Sequence, residues 1–204
     1  DPIITDDKKY LLGGICFEDY IDFDWGENDE KIICSINQIM FNDNFAFLKN
    51  DFDFLSSYLV KNDYIFPHEF IIKILLFLKE DQNFQEIRAV LRLLKQITAF
   101  DSEMQQILIE NDIFNLLSPY FLNEEVIDTF SNLSLATNEA KVYLLNSNII
   151  EFIIDNINDE DHFECLILLS RNILYCNDSF SFDEYISQFI QLFHLVLSKF
   201  NSYN

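Results

Sequence analysis

Three stretches decide how this chain folds: Arg88-Ala-Val-Leu-Arg-Leu-Leu-Lys-Gln-Ile-Thr-Ala99, Glu124-Glu-Val-Ile-Asp-Thr-Phe-Ser-Asn-Leu-Ser-Leu-Ala136 and Glu164-Cys-Leu-Ile-Leu-Leu-Ser-Arg-Asn-Ile-Leu-Tyr175. In each, apolar residues recur at helical spacing and the pattern closes as apolar-x-x-amide-apolar. The amides are Gln96, Asn132 and Asn172, so Asn132 follows Gln96 by 36 residues and Asn172 follows Asn132 by 40. The segments between them repeat too. Ile109-Glu-Asn-Asp-Ile-Phe-Asn-Leu-Leu117 aligns with Leu145-Asn-Ser-Asn-Ile-Ile-Glu-Phe-Ile153, again 36 residues on. One unit is therefore three helices: a short one (102–110, then 138–146), a second (112–121, then 148–157) and the amide-bearing third. The sharp turns fall at Asn111-Asp112 and Ser147-Asn148, residue types that tolerate left-handed backbone.

Working outward, Asp29 to Met40 has the look of another third helix, with Gln38 at the amide position. Phe45 to Asn62 and Pro67 to Lys79 supply the helices in between, Pro67 being acceptable in a first turn. Residues 1–28 hold Trp25, an acidic-aromatic run and all three glycines of the chain, and are read as an irregular arm preceding a helical repeat domain over 29–204. Asn-Gly and Asp-Gly hairpin turns are absent. Without glycine after Gly26, phosphate-binding loops, dinucleotide fingerprints and the G-x-S-x-G nucleophile turn have no means of reaching their backbone conformations.

Charge narrows the partners. Thirty-five acidic against thirteen basic residues give a net charge of −22, and residues 102–204 contain only Lys141, Arg171 and Lys199 as permanent cations. Nucleic acid, which demands clustered Lys and Arg, is a poor match, and a basic protein surface a better one. Half of the residues are apolar, which suits a folded core rather than a disordered acidic tail. The longest apolar stretch, Phe70 to Leu78, is too short to span a bilayer and is broken by Lys73. No membrane partner is expected. Cys16, Cys34, Cys165 and Cys176 form no CxxC pair and are expected to be buried free thiols of a reducing, cytoplasmic compartment. His68, His162 and His194 are scattered; His162-x-x-Cys165 lacks a second ligand pair, and Asp22-x-Asp24-x-Gly26 has its glycine misplaced for a calcium loop. No metal, cofactor or catalytic residue is expected.

The repeat resembles the armadillo family, whose third helix carries the pattern A-L-x-N-L-A. The counterparts are Leu93 to Thr98, Thr129 to Ser134 and Leu169 to Leu174, and the resemblance covers Phe66 to Cys176. The family's turn glycine is replaced by Asp112 and Asn148. The resemblance implies an all-α fold, a right-handed superhelix of three-helix units, whose third helices line a concave groove where asparagines bind an extended peptide. Groove candidates are then Arg88, Arg92 and Gln96, Glu124, Asp128 and Asn132, and Glu164, Leu168 and Asn172. Carboxylates in a first turn also suit the helix dipole without any ligand, and the asparagines could instead brace neighbouring backbone. Nuclear-import adaptors of this family place tryptophan four residues before the asparagine, where this chain has Arg92, Asp128 and Leu168.

Val90, Leu91, Leu94, Phe130, Leu133, Leu166 and Leu169 are expected in the core. The last helix, about Phe182 to Phe200, is apolar on nearly every side, whereas a terminal repeat facing water needs a polar outer face. Phe189, Phe193, Val196 and Phe200 are therefore candidate assembly contacts, covered by a continuation of the array or another subunit. The leading expectation is a non-catalytic scaffold within a larger complex, with a cytoskeletal assembly as one setting. The alternative is a transport adaptor that captures basic peptides in its groove.

Overall fold

Apolar residues at helical spacing fold as helices along nearly all of the described chain. The computed structural model describes residues 11–12, 15–16, 29–42, 44, 47–60, 66–79, 84–100, 102–175 and 185–202, with backbone alone at 11–12, 15–16, 29, 84–86, 100, 102 and 199–202. The helices are α1 (Asp29–Phe41), α2 (Lys49–Leu59), α3 (His68–Lys79), α4 (Phe84–Phe100), α5 (Ser102–Glu110), α6 (Ile113–Leu117), α7 (Glu124–Ala136), α8 (Asn138–Asn146), α9 (Ile149–Asn156), α10 (Phe163–Leu174) and α11 (Ile186–Ser202). A 3-10 turn, Ser118–Tyr120, prolongs α6. Among the described residues the fold is all-α apart from one minimal strand pair.

That pair corrects the reading of the amino-terminal region as wholly irregular. β1 (Leu11–Leu12) and β2 (Ile15–Cys16) are antiparallel, with Leu12 opposite Ile15. The intervening residues are Gly13-Gly14, a two-residue sequence that tight hairpins favour as much as Asn-Gly. The rest of the arm, including Trp25 and the Asp22 to Gly26 run, lies outside the described residues.

The two expected turns are built as the repeat requires. Asp112 and Asn148 sit in the left-handed region at φ 55° and 64°, the positive-φ non-glycine residues among those described. At each, the preceding helix ends on i−3 hydrogen bonds, Asp112 N–H to Ile109 O at 3.0 Å and Asn148 N–H to Leu145 O at 3.2 Å. Left-handed backbone carries a cost that glycine avoids. Asn148, whose side chain caps nothing, should therefore gain about 0.5 kcal/mol on Asn148→Gly and lose about 1 kcal/mol on Asn148→Val, measurable by urea unfolding.

Packing arranges these helices in two layers. α2 lies along α4, α4 along α7, and α7 along α10; behind them α3 meets α1, α5 and α6, α5 meets α8, and α9 meets α11. One continuous core runs between the layers from Ile32 to Leu192, and all seven residues expected in it are buried. Phe130 of α7 illustrates how units share that core. Its ring lies 5.2 Å from Phe114 of α6, which in turn meets Phe152 of α9, in the following unit, edge-on at 5.3 Å.

The row begins with α2, not with α1 as the Gln38 motif suggests. α1 turns Ile32, Ile33, Ile36 and Ile39 inward onto α2 and α3, leaving Gln38 exposed to solvent. Position within the row is thus set by which face is apolar, not by an amide at the right spacing. The same rotation exposes Cys34, and Cys165 is only half-buried, so neither described thiol is a fully buried one.

Candidate interaction surfaces

The exposed face of the α2–α4–α7–α10 row carries most of the residues singled out by the repeat. Helical spacing aligns Arg88, Arg92 and Lys95 on α4, and each cation finds a carboxylate on an adjoining helix. Arg88 Nε donates to Glu125 Oε1 at 3.1 Å, and Arg92 reaches both Asp53 Oδ1 at 2.9 Å and Glu125 Oε1 at 3.5 Å. Lys95 Nζ pairs with Asp128 Oδ2. Partial burial pulls the Lys95 ammonium down, but Asp128, with Glu124 and Glu125 nearby, holds its pKa above the ordinary lysine value. These four ion pairs, among three cations and three carboxylates, therefore stitch three helices together. Each half-exposed pair contributes about 0–1 kcal/mol.

Glu125 and Asp53 take part in this network without standing in the sequence-derived set. Glu125 follows the N-cap residue Asn123, whose Oδ1 accepts its backbone N–H at 3.0 Å. A carboxylate in a first turn is explained by the helix dipole alone, so no sequence signal marked its inward orientation. Asp53 lies on α2, the helix that stands in the row where the Gln38 motif puts α1.

The amides behave as inter-helix braces. Asn132 Nδ2 donates to Lys95 O at 3.0 Å and to Thr98 Oγ1 at 3.3 Å, which engages both of its hydrogens on α4. Asn172, buried, donates through Nδ2 to Ser131 Oγ of α7 at 2.6 Å and accepts from Arg171 through Oδ1. Gln96 is half-buried and makes no side-chain hydrogen bond among the described residues. Glu164 and Leu168 remain exposed on α10. The bracing extends to helix ends, whose last carbonyls lack intrahelical donors. Gln105 Nε2 donates to Thr98 O at 2.6 Å, and the buried Lys141 Nζ donates to Asn172 O at 3.2 Å and to Tyr175 O. A cation at a helix C-terminus also complements the dipole.

Tyr143 links two units directly. Its hydroxyl donates to Asp112 Oδ1 at 3.0 Å and accepts the Phe114 N–H at 2.8 Å, satisfying a donor at the start of α6. Burial, reinforced by Asp112, raises its pKa well above the usual tyrosine value, against the opposing pull of the Phe114 N–H. An acid whose pKa is raised by folding keeps its stabilising contribution below pH 10 and loses it as pH climbs toward the folded value. Tyr143→Phe should cost about 1–2 kcal/mol at pH 8, and the gap from the parent chain should narrow at pH 11, read by urea melts at both pH values.

His162 Nδ1 lies 3.0 Å from Asp159 Oδ1, whose carboxyl is held below its ordinary pKa by that hydrogen bond. Burial, with Asp128, Glu124 and Glu164 nearby, pushes the Cys165 thiol up, away from reactive thiolate character. Among the described residues, no three His, Cys, Asp or Glu side chains converge in an arrangement that could hold a metal ion. No helix among them is long and apolar enough to cross a membrane.

A second surface lies at the carboxy-terminal end. Leu174 of α10 and Ile186, Phe189, Ile190, Phe193 and His194 of α11 line an open groove of about 480 Å³. Here the structure revises the assembly set. Phe189 faces the core at 7% exposure and Val196 is half-buried, while Ile186, Ile190, Phe193 and Leu197 are between 43% and 55% exposed. Phe193 thus keeps its outward place, and the Phe200 side chain lies outside the described residues. Ser187, Gln191, His194 and Ser198 form a polar stripe on α11, but its apolar residues spread over an arc too broad for spacing to tell Phe189, which faces the core, from Phe193, which does not.

No family model matches the chain, and no curated protein does. Among solved structures, the chain is similar to an engineered protein whose crystal structure was determined by the Northeast Structural Genomics Consortium. The match has 12% identity and a TM-score of 0.61 over 79% of this chain and 68% of that one. At that identity the likeness concerns the fold alone.

Proposed function

We propose that this chain is a non-catalytic protein-interaction scaffold, a short armadillo-like solenoid that serves as a subunit of a larger assembly. Support for the solenoid comes from the two left-handed turns, which recur 36 residues apart at Asp112 and Asn148 in structurally equivalent places. Units that cannot bury their own apolar faces stack and share a core, leaving their outer walls for other polypeptides.

The exposed apolar seam of α11 carries the proposal that the chain works within an assembly. Groove capture of a basic peptide draws less support, since Asn132 has both amide hydrogens on α4 and Asn172 is buried against Ser131. The α4 cations are likewise engaged with Asp53, Glu125 and Asp128. The contact on α11 is apolar and should tolerate salt, whereas ionic capture weakens steeply with ionic strength.

A photo-crosslinking residue placed at Gln191, on the exposed side of α11, or at Gln96, on the row, separates the two in native material. Crosslinks to other polypeptides that form at Gln191 and survive high salt are expected. Crosslinks confined to Gln96 and lost in high salt would contradict the assembly reading in favour of peptide capture.

A further inference from the structure

The outward residues of α11 follow a regular rule. Ile186, Ile190, Phe193 and Leu197 are spaced four, three and four residues apart, the a/d alternation by which one helix seats against another. The buried face of the same helix, Phe189 and Leu192, adjoins this seam, Phe189 forming the edge between them. α11 therefore has two adjoining apolar faces, one used within the fold and one open.

The spacing is also symmetric. Reversing the seam end for end returns the same four-three-four order, so a two-fold axis through the middle of the helix sets Ile190 against Phe193 of a second copy. The same axis sets Ile186 against Leu197. Isologous interfaces have this property: one patch that is its own complement. Charge points to the same occupant. The chain carries 35 carboxylate residues, yet the 17 residues of α11 include none. Two copies at −22 repel each other over most of their surfaces, and this helix is where they approach with least penalty. A basic partner, in contrast, would find no carboxylate on it. Paired seams bury an area on the order of 1,000 Å², the lower bound for a specific interface, which suits a reversible dimer rather than an obligate one.

We infer that the open seam of α11 is a homodimer interface, in which α11 packs antiparallel on α11 of a second copy of this chain. This rests on the assembly reading above and names one partner within it. The dimer should form at concentrations on the order of tens of micromolar. Because the copies repel, added salt should tighten it, by about threefold or more between ~0.05 and ~0.5 M.

Sedimentation equilibrium of the full chain tests this, alongside I190E, F193K and, as a control on an exposed apolar residue elsewhere, F47E. I190E and F193K alone should each weaken dimerisation about 30-fold or more with unchanged melting temperature, and F47E should leave it intact. Mixing I190E with F193K should restore association, since the two-fold axis sets each new charge against its opposite. A dimer that survives both seam variants, or a mixture that stays monomeric after each variant is shown to be folded, overturns the inference. A parent chain that is monomeric throughout also overturns it. That result leaves the assembly reading standing if Gln191 still crosslinks to a different polypeptide, and both readings fail if it crosslinks to none.

Discussion

Phe130→Ala should destabilise the fold by about 4 kcal/mol, measured by urea unfolding of the full chain. Phe130 is fully buried, and truncating it removes a ring and leaves a cavity that neighbouring helices can only partly close. Its place matters more than its size. It touches Phe114 and, at 6.1 Å, Phe121, and both of those rings meet Phe152 of the next unit, at 5.3 and 5.2 Å. If adjoining units share one core, the substitution should lower hydrogen-exchange protection on both sides of α7, in α4 and in α9, and not in α7 alone. A loss under ~1 kcal/mol, or a loss of protection confined to α6 and α7, would show that the units are stabilised separately.

The second large effect is expected at Asn172. Asn172→Ala deletes the donor to Ser131 Oγ and the acceptor for Arg171 in a place with little access to water, and should cost about 2 kcal/mol. Ser131→Ala should cost less, because Asn172 Oδ1 keeps Arg171. The double variant should fall short of the sum by about 1 kcal/mol, as expected when two changes remove the same bond. Strict additivity in thermal or chemical unfolding would mean that the two side chains do not interact. Asn132→Ala should show a smaller loss, about 1 kcal/mol, since Asn132 is itself only half-buried.

The sequence exposed the repeat because its period depends on strong local signals. The apolar spacing of Leu91, Leu94, Leu133, Leu166 and Leu169 marks buried faces, and Asp112 and Asn148 mark turns that only a few residue types tolerate. Both are properties of one segment read alone, and the helices from α4 to α10 agree with it to within a few residues at their ends. What one segment leaves open is its rotation against its neighbours. Gln38 sits at the amide spacing yet faces solvent, because the isoleucines of α1 turn it away from the row, whose first member is α2. Asp53 and Glu125 enter the ion-pair network only once the helices are set side by side. On α11 the apolar residues spread over a broad arc, and packing assigns Phe189 to the core and Ile190 to the surface. The short strand pair of Leu11–Leu12 and Ile15–Cys16 has its local signal in the intervening Gly13-Gly14.

In this fold the third helices are locked to one another in register by their amides. Side-chain amide proton resonances measure this directly, through nuclear Overhauser contacts and exchange with water. The amide protons of Asn132 should contact Thr98, those of Asn172 should contact Ser131, and both pairs should exchange slowly. Amide protons on Asn132 and Asn172 that exchange freely and contact nothing outside their own helices would contradict it.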